Sequence, residues 1–253
     1  MSLRPRVIPV LLLKNGGLVK TKKFKDPQYV GDPINAVKIF NEKEVDELLL
    51  LDIDCVRNQT EPDYDLISSI VSEAFMPIGY GGGIKTQQQA KKIIDLGIEK
   101  IILNSGIQDN LDLVSDISSI LGSSSVVACI DYKKNIFGTN KVHFKGGSVK
   151  SNHSPLEWAL KLQEKGAGEI ILNSIEKEGT YSGFDLETLK LISQNINVPL
   201  VISGGCGSLH DIETAIKAGA SGVAVGSMFV YKRPYNAVLI NYPTFDELTR
   251  ICK

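Results

Sequence analysis

Apolar runs of strand length alternate with amphipathic stretches along most of this chain. The first run, Val7-Ile8-Pro9-Val10-Leu11-Leu12-Leu13, is apolar at consecutive positions, which fits a strand covered on both faces. A helix is then predicted from Pro33 to about Lys43. Strand and helix alternate after it: strand Glu47 to Ile53, helix near Tyr64 to Glu73, strand Pro77 to Tyr80, helix Thr86 to Asp95, strand Lys100 to Leu103 and helix about Asn110 to Leu121. In the second half the strands are Val126 to Ile130, Glu169 to Asn173, Leu200 to Ile202 and Gly222 to Val225. Its helices run near Pro155 to Lys165, Asp185 to Gln194 and Ser208 to Lys217, with a last one near Thr244 to Cys252. Eight strands, each followed by a helix, predict a single (β/α)8 TIM barrel over residues 1–253.

Two stretches interrupt the rhythm. Lys14 to Asp32 is long and polar, and reads as a functional loop or lid, or as a solvated basic loop. Between Tyr132 and Lys150, the segment Ile136 to Phe144 alternates and turns like a small hairpin.

The two halves echo each other. Gly82 and Gly204, Gly97 and Gly219, Ser105 and Ser227, and Glu47 and Glu169 are all 122 residues apart. The barrel is therefore expected to consist of two half-barrel repeats, which an open doubly wound sheet does not require.

Composition narrows the partners. With 43% hydrophobic residues the chain can bury a substantial core, and its formal charge of −1 supplies no net positive field for nucleic acid or an anionic membrane, so neither is expected as a partner. Cys55, Cys129, Cys206 and Cys252 lack CxxC spacing and no signal-peptide pattern opens the chain, so a reduced, cytoplasmic protein is expected. His143, His153 and His210 lie in polar or turn-like surroundings; no metal site is read, and no cofactor is called for.

In a barrel of this kind, reactive groups gather at the C-terminal ends of the strands, and phosphate is held after strands 7 and 8. Gly204-Gly205 with Gly226-Ser227 has that form, because a phosphate oxygen must approach backbone N–H groups that a Cβ would block. Gly82-Gly83 with Asn104-Ser105 places a second such site after strands 3 and 4, across the mouth. Tight glycine turns are the plain alternative. Two opposed sites suggest an elongated ligand with a phosphate at each end, leaving the chemistry to the ends of strands 1 and 5. Strand 5 ends in Asp131, a candidate general acid or base or a simple loop cap. Strand 1 ends without a carboxylate. Lys20 in the long stretch, and Glu176, Lys177 and Glu178 after strand 6, are further candidates or solvated charges. At the opposite face Arg6, Glu47, Lys100 and Glu169 begin strands 1, 2, 4 and 6; they form either an ion-paired gate over the axis or ordinary stabilising pairs.

Longer motifs add a specific likeness. Arg6-Val7-Ile8-Pro9, Lys14-Asn15-Gly16, Val19-Lys20, Gly31-Asp32-Pro33, Gly81-Gly82-Gly83-Ile84, Asn104-Ser105, Gly166-Ala167-Gly168-Glu169-Ile170, Gly179-Thr180 and Ser203-Gly204-Gly205 together resemble HisF, the cyclase subunit of imidazole glycerol phosphate synthase, essentially end to end. The resemblance implies a HisH-type glutaminase docked on the bottom face and ammonia passing through the barrel to a bisphosphorylated substrate. It assigns Arg6, Glu47, Lys100 and Glu169 to the gate, turns Glu99 toward the glutaminase and adds Gly179 to the phosphate set. Of the family's two catalytic aspartates, one is matched by Asp131 and the other falls at Leu12, a loss worth on the order of 10²–10⁴ in rate for an acid-base pair. The loop-6 aspartate is Glu178 and the threonine ending strand 6 is Asn173, leaving Asp131, Lys20 and Glu178 as the catalytic set. This pattern is similar to the HisF-like paralogues of surface-sugar amidination (WbuZ-type), which implies a separate ATP-using amidotransferase as a further partner. A functioning cyclase and a non-catalytic interaction subunit are the alternatives.

Overall fold

A computed structural model describes residues 5–251 of the chain, so Cys252, where the last predicted helix was to end, lies outside the described residues. The chain opens with β1 (Arg6–Lys14), β2 (Gly17–Lys22) and β3 (Lys25–Gly31), followed by helix α1 (Pro33–Glu42). Next come β4 (Leu48–Asp52), α2 (Asp54–Asn58), α3 (Tyr64–Val71), β5 (Ile78–Gly81), α4 (Gln87–Asp95), β6 (Lys100–Leu103) and α5 (Asp112–Leu121). The second half holds β7 (Val126–Lys134), β8 (Asn140–Phe144), β9 (Val149–Lys150), α6 (Pro155–Glu164), β10 (Glu169–Ser174), α7 (Leu186–Ser193), β11 (Leu200–Ser203), α8 (Leu209–Lys217) and β12 (Gly222–Val225). After it lie the single-turn α9 (Ser227–Val230), the small hairpin β13 (Tyr231–Lys232) and β14 (Ala237–Val238), and α10 (Phe245–Ile251).

Eight of these strands close a parallel barrel in the order β1, β4, β5, β6, β7, β10, β11, β12 and back to β1. Strand residues alternate in direction, so each strand feeds two cores. Outward side chains such as Val7, Leu48, Leu50, Ile101 and Ile170 pack under the helices. Inward ones, among them Ile8, Val10, Leu49, Ile102 and Ile171, form a separate apolar cluster inside the barrel.

The stretch Lys14 to Asp32 is not an irregular loop. It is the antiparallel hairpin β2–β3, which extends the end of β1 through the pairs Leu12 with Val19 and Lys14 with Gly17. Asn15 and Gly16 both take positive φ, 50° and 73°, and this Asn-Gly turn matches the twist of a two-residue hairpin. Leu18, Val19, Lys20 and Thr21 are buried in it, and the lysines hid that pattern. The predicted hairpin after strand 5 is present as β8, which pairs back on β7 around a turn at Asn135 to Thr139.

The 122-residue echo extends to the helix starts. N-caps Asp32 and Ser154, Asp63 and Asp185, and Thr86 and Ser208 are each 122 apart, and every one accepts a hydrogen bond from a first-turn backbone N–H. Replacing an N-cap hydroxyl by alanine removes that acceptor. Thr86→Ala and Ser208→Ala are expected to lower unfolding stability by about 1 kcal/mol each, read from urea denaturation; no loss at either position would contradict the capping role.

Candidate active site

The N-terminal face of the barrel is crossed by four charges. Arg6 pairs with Glu47 Oε2 at 2.5 Å and with Glu169, while Lys100 Nζ lies 2.8 Å from both Glu47 Oε1 and Glu169 Oε2. Both carboxylates are buried, at 4% and 5% exposure, and each is held by two cations. Removing one partner from such a ring leaves a buried charge uncompensated. Glu99, the residue before Lys100, is exposed on the same face.

Above the ring the inward positions turn apolar. Ile8, Val10, Leu49, Ile102, Val127, Ile171 and Val201 line the axis, with Leu12 and Leu51 at its upper end. Such a hydrocarbon lining makes an unpaired ion costly there.

Polar groups return at the C-terminal end. Asp131 is 6% exposed and accepts hydrogen bonds from Asn104 Nδ2 at 2.6 Å and Asn173 Nδ2 at 2.8 Å. Burial pushes its carboxyl up to about 6, against the pull of the two amide donors. The other atom of each amide, Asn104 Oδ1 and Asn173 Oδ1, is buried and accepts nothing from the described residues. Register identifies what stands in the equivalent place of the first half. Leu12 pairs with Leu51 and Asp131 with Asn173, and Leu51 and Asn173 are 122 residues apart. The half-barrel equivalent of Asp131 is therefore Leu12.

Lys20 enters this end from the hairpin. It is 2% exposed, and its Nζ donates to the Val10 carbonyl inside the barrel. Burial lowers its ammonium to about 8, opposed by the Glu178 carboxylate. Burial likewise raises the Glu178 carboxyl, with Lys20 opposing. The two converge on Gly226, where an added Cβ would lie 3.0 Å from Lys20 Nζ and 3.8 Å from Glu178 Oε1.

The glycine pairs also take the positions the spacing assigned them. Gly82 and Gly83 follow β5, and Gly204 and Gly205 follow β11. Gly82 and Gly205 have φ of 133° and 107°; an added Cβ would press on the Asp52 carbonyl and on the Gly183 carbonyl respectively. Ser227 opens α9 and is buried, whereas Ser105 Oγ accepts the Lys145 backbone N–H at 2.9 Å. Gly179 lies against the hairpin instead: its Cβ would meet the Thr21 carbonyl at 2.5 Å, beside the bond from Lys23 N–H to the Glu178 carbonyl at 2.9 Å.

Sequence reasoning missed the two amides gripping Asp131 and the placement of His143 opposite Asp131 across β7 and β8. Alternation along strands 4 and 6 carried the first signal, since Lys100, Ile102 and Asn104 share the inward side, as do Glu169, Ile171 and Asn173. Among the described residues, no group of three or more His, Cys, Asp or Glu is placed to hold a metal ion, and no helix is long and apolar enough to cross a membrane.

Comparison with known proteins fits this geometry. Residues 6–235 match the family described as histidine biosynthesis protein. The chain is 51% identical over 246 residues to a Pseudomonas aeruginosa protein provisionally named imidazole glycerol phosphate synthase subunit hisF2, covering 97% of this chain and 98% of that one. A Vibrio vulnificus protein provisionally named subunit hisF3 is 48% identical over 247 residues, covering 97% and 95%. Imidazole glycerol phosphate synthase subunit HisF of Streptococcus sanguinis is 37% identical over 230 residues, covering 90% and 91%. With its closed eightfold barrel and a family match spanning nearly all of it, the chain belongs to the histidine biosynthesis protein family as a HisF-like member.

Proposed function

We propose that the chain is the HisF-like synthase subunit of a glutamine-dependent amidotransferase complex, and that it conducts ammonia without performing ordinary cyclisation. A HisH-type glutaminase docks on the face that carries Glu99. Neutral ammonia passes the ring of Arg6, Glu47, Lys100 and Glu169, rises along the apolar wall and arrives at Asp131, Asn104 and Asn173. A separate ATP-using amidotransferase then places it on a surface sugar as an amidine. Phosphorylated ligand is held at Gly82, Gly83, Asn104 and Ser105 on one side and at Gly179, Gly204, Gly205, Gly226 and Ser227 on the other. Lys20 and Glu178 close over it.

The observation that carries this reading is Leu12 standing where the half-barrel symmetry calls for the counterpart of Asp131. A cyclase that exchanges protons between two carboxylates has one of them replaced by a hydrocarbon, while the four charges below it are all in place. The unfilled amide oxygens of Asn104 and Asn173 support the same reading, because they accept N–H donors and sit where the apolar passage ends. The hisF2 and hisF3 names of the relatives at 51% and 48% identity agree with a paralogous role. The surface-sugar acceptor rests on the resemblance of the motifs.

Two measurements test the site. Turnover of the bisphosphorylated HisF substrate with free ammonium is expected to be low in the unaltered chain and to rise on the order of 10²-fold in Leu12→Asp. Robust turnover without that substitution would establish a cyclase working through Asp131, Lys20 and Glu178 instead. The second measurement is an NMR titration of the Asp131 carboxyl, expected near 6. Asn173→Val removes a donor that favours the ionised form, so the midpoint moves upward by on the order of one unit; a downward shift would contradict the hydrogen-bonded arrangement.

A further inference from the structure

The formal charge of −1 averages two very unlike parts of the molecule. Residues 14–31, which hold the hairpin β2–β3, carry five lysines and one aspartate, a net +4, with Lys20 alone among the lysines buried in the site. Residues 132–150, which hold the excursion from β7 through β9, carry five lysines and no acidic residue, a net +5. Residues 231–239, the hairpin β13–β14, add Lys232 and Arg233, a net +2. The rest of the chain is left with −12. All three segments follow the C-terminal ends of barrel strands, β1, β7 and, through α9, β12, so they rise from the face that holds Asp131.

The same segments expose apolar side chains. At the turn between β7 and β8, Ile136 is 93% and Phe137 84% exposed, as adjacent residues with Lys134 shortly before them. Tyr29 of β3 is 71% exposed near Lys25, and Tyr235 between β13 and β14 is 90% exposed beside Lys232 and Arg233. Surface apolar residues scattered singly need no explanation. Three separate projections on one face, each joining an exposed ring or aliphatic tip to basic side chains, with Asp26 the one acid within them and Asp54 and Glu176 bonded at their bases, form a pattern of another kind.

We propose that this face docks on an anionic lipid surface, with Ile136 and Phe137 entering the headgroup boundary and the surrounding lysines held by the negative charge. A nucleic-acid backbone would satisfy the lysines but offers nothing to an isoleucine and a phenylalanine at a hairpin tip. An acidic protein would need a separate pocket for each of three projections, whereas a planar interface accepts all of them alike. Tyrosine, phenylalanine and isoleucine beside lysine are the side chains that partition into that boundary, and each lysine near an anionic surface strengthens binding about fivefold. No lipid inside the barrel is involved, and the docking stands or falls independently of any ammonia route. Its consequence is positional: a phosphorylated acceptor carried at a lipid surface would meet the barrel at its reactive end.

The test is co-sedimentation of the full chain with vesicles of phosphatidylcholine alone and of phosphatidylcholine mixed with phosphatidylglycerol. Binding is expected only to the mixed vesicles, and to fall as salt is raised. Ile136→Ser/Phe137→Ser is expected to weaken partition by on the order of tenfold or more. Lys134→Gln/Lys150→Gln is expected to weaken it by on the order of tenfold. All four side chains are exposed, and unchanged circular dichroism and urea midpoints would show that the variants fold. Absence of binding to the mixed vesicles overturns the proposal, as does equal binding to both kinds. Retention by polyglutamate or duplex DNA as strong as by vesicles, unaffected by Ile136→Ser/Phe137→Ser, also overturns it and assigns the face to an acidic macromolecule.

Discussion

In a closed barrel of eight parallel strands every second side chain must fit on the axis, and little else about the interior is free to vary. The strands of this chain meet that constraint by keeping charge at the two ends and hydrocarbon between them. Glu47 and Glu169 are tolerable as buried carboxylates because Arg6 and Lys100 reach both, and the ring can form because Arg6, Lys100 and Glu169 open their strands and Glu47 immediately precedes β4. Above it, Val10, Leu49, Ile102 and Ile171 form an apolar cluster, in which an unpaired ion would be costly. Asp131 then sits buried at the end of that apolar cluster, and burial pushes its carboxyl up to about 6 despite two amide donors.

The half-barrel repeat gives this arrangement a built-in comparison. Leu51 and Asn173, Ile102 and Ala224, and Asn104 and Gly226 are equivalent inward positions, so the two halves have diverged in their inward residues toward the C-terminal end. One half presents Asp131 with Asn173 beside it; the other presents Leu12 with Leu51. The mouth therefore gathers Asn104, Asp131 and Asn173 on one side, while beside Leu12 and Leu51 the polar group is Lys20, donating to the Val10 carbonyl.

Much of this was legible in the residues. Apolar runs located all eight barrel strands, and the glycine echo at a fixed offset exposed the doubled half before any contact was known. The charges at strand starts were visible too, because Arg6, Glu47, Lys100 and Glu169 each precede an apolar run. What escaped was structure whose stabilising contacts are not periodic in hydrophobicity. The hairpin β2–β3 reads as polar because Lys20, held by the Val10 carbonyl and the Glu178 carboxylate, and Thr21 are buried in it, and only the Asn15-Gly16 turn betrays it. The grip of Asn104 on Asp131 joins residues 27 apart on neighbouring strands, a pairing that follows from register and not from spacing. Net charge is silent on distribution in a similar way, since a sum of −1 combines +11 in three segments with −12 in the rest of the chain.

The account turns on the barrel being a passage rather than a decorated scaffold. The direct measurement supplies glutamine labelled with 15N in its amide to the chain, a HisH-type glutaminase and the ATP-using amidotransferase, with excess unlabelled ammonium in solution. Mass spectrometry then reads the label in the amidino product. Passage through the barrel predicts that the product keeps the enrichment of the glutamine, and that Arg6→Ala combined with Lys100→Ala lets the solution ammonium dilute it. Enrichment equal to that of the bulk ammonium with the unaltered chain would contradict the account.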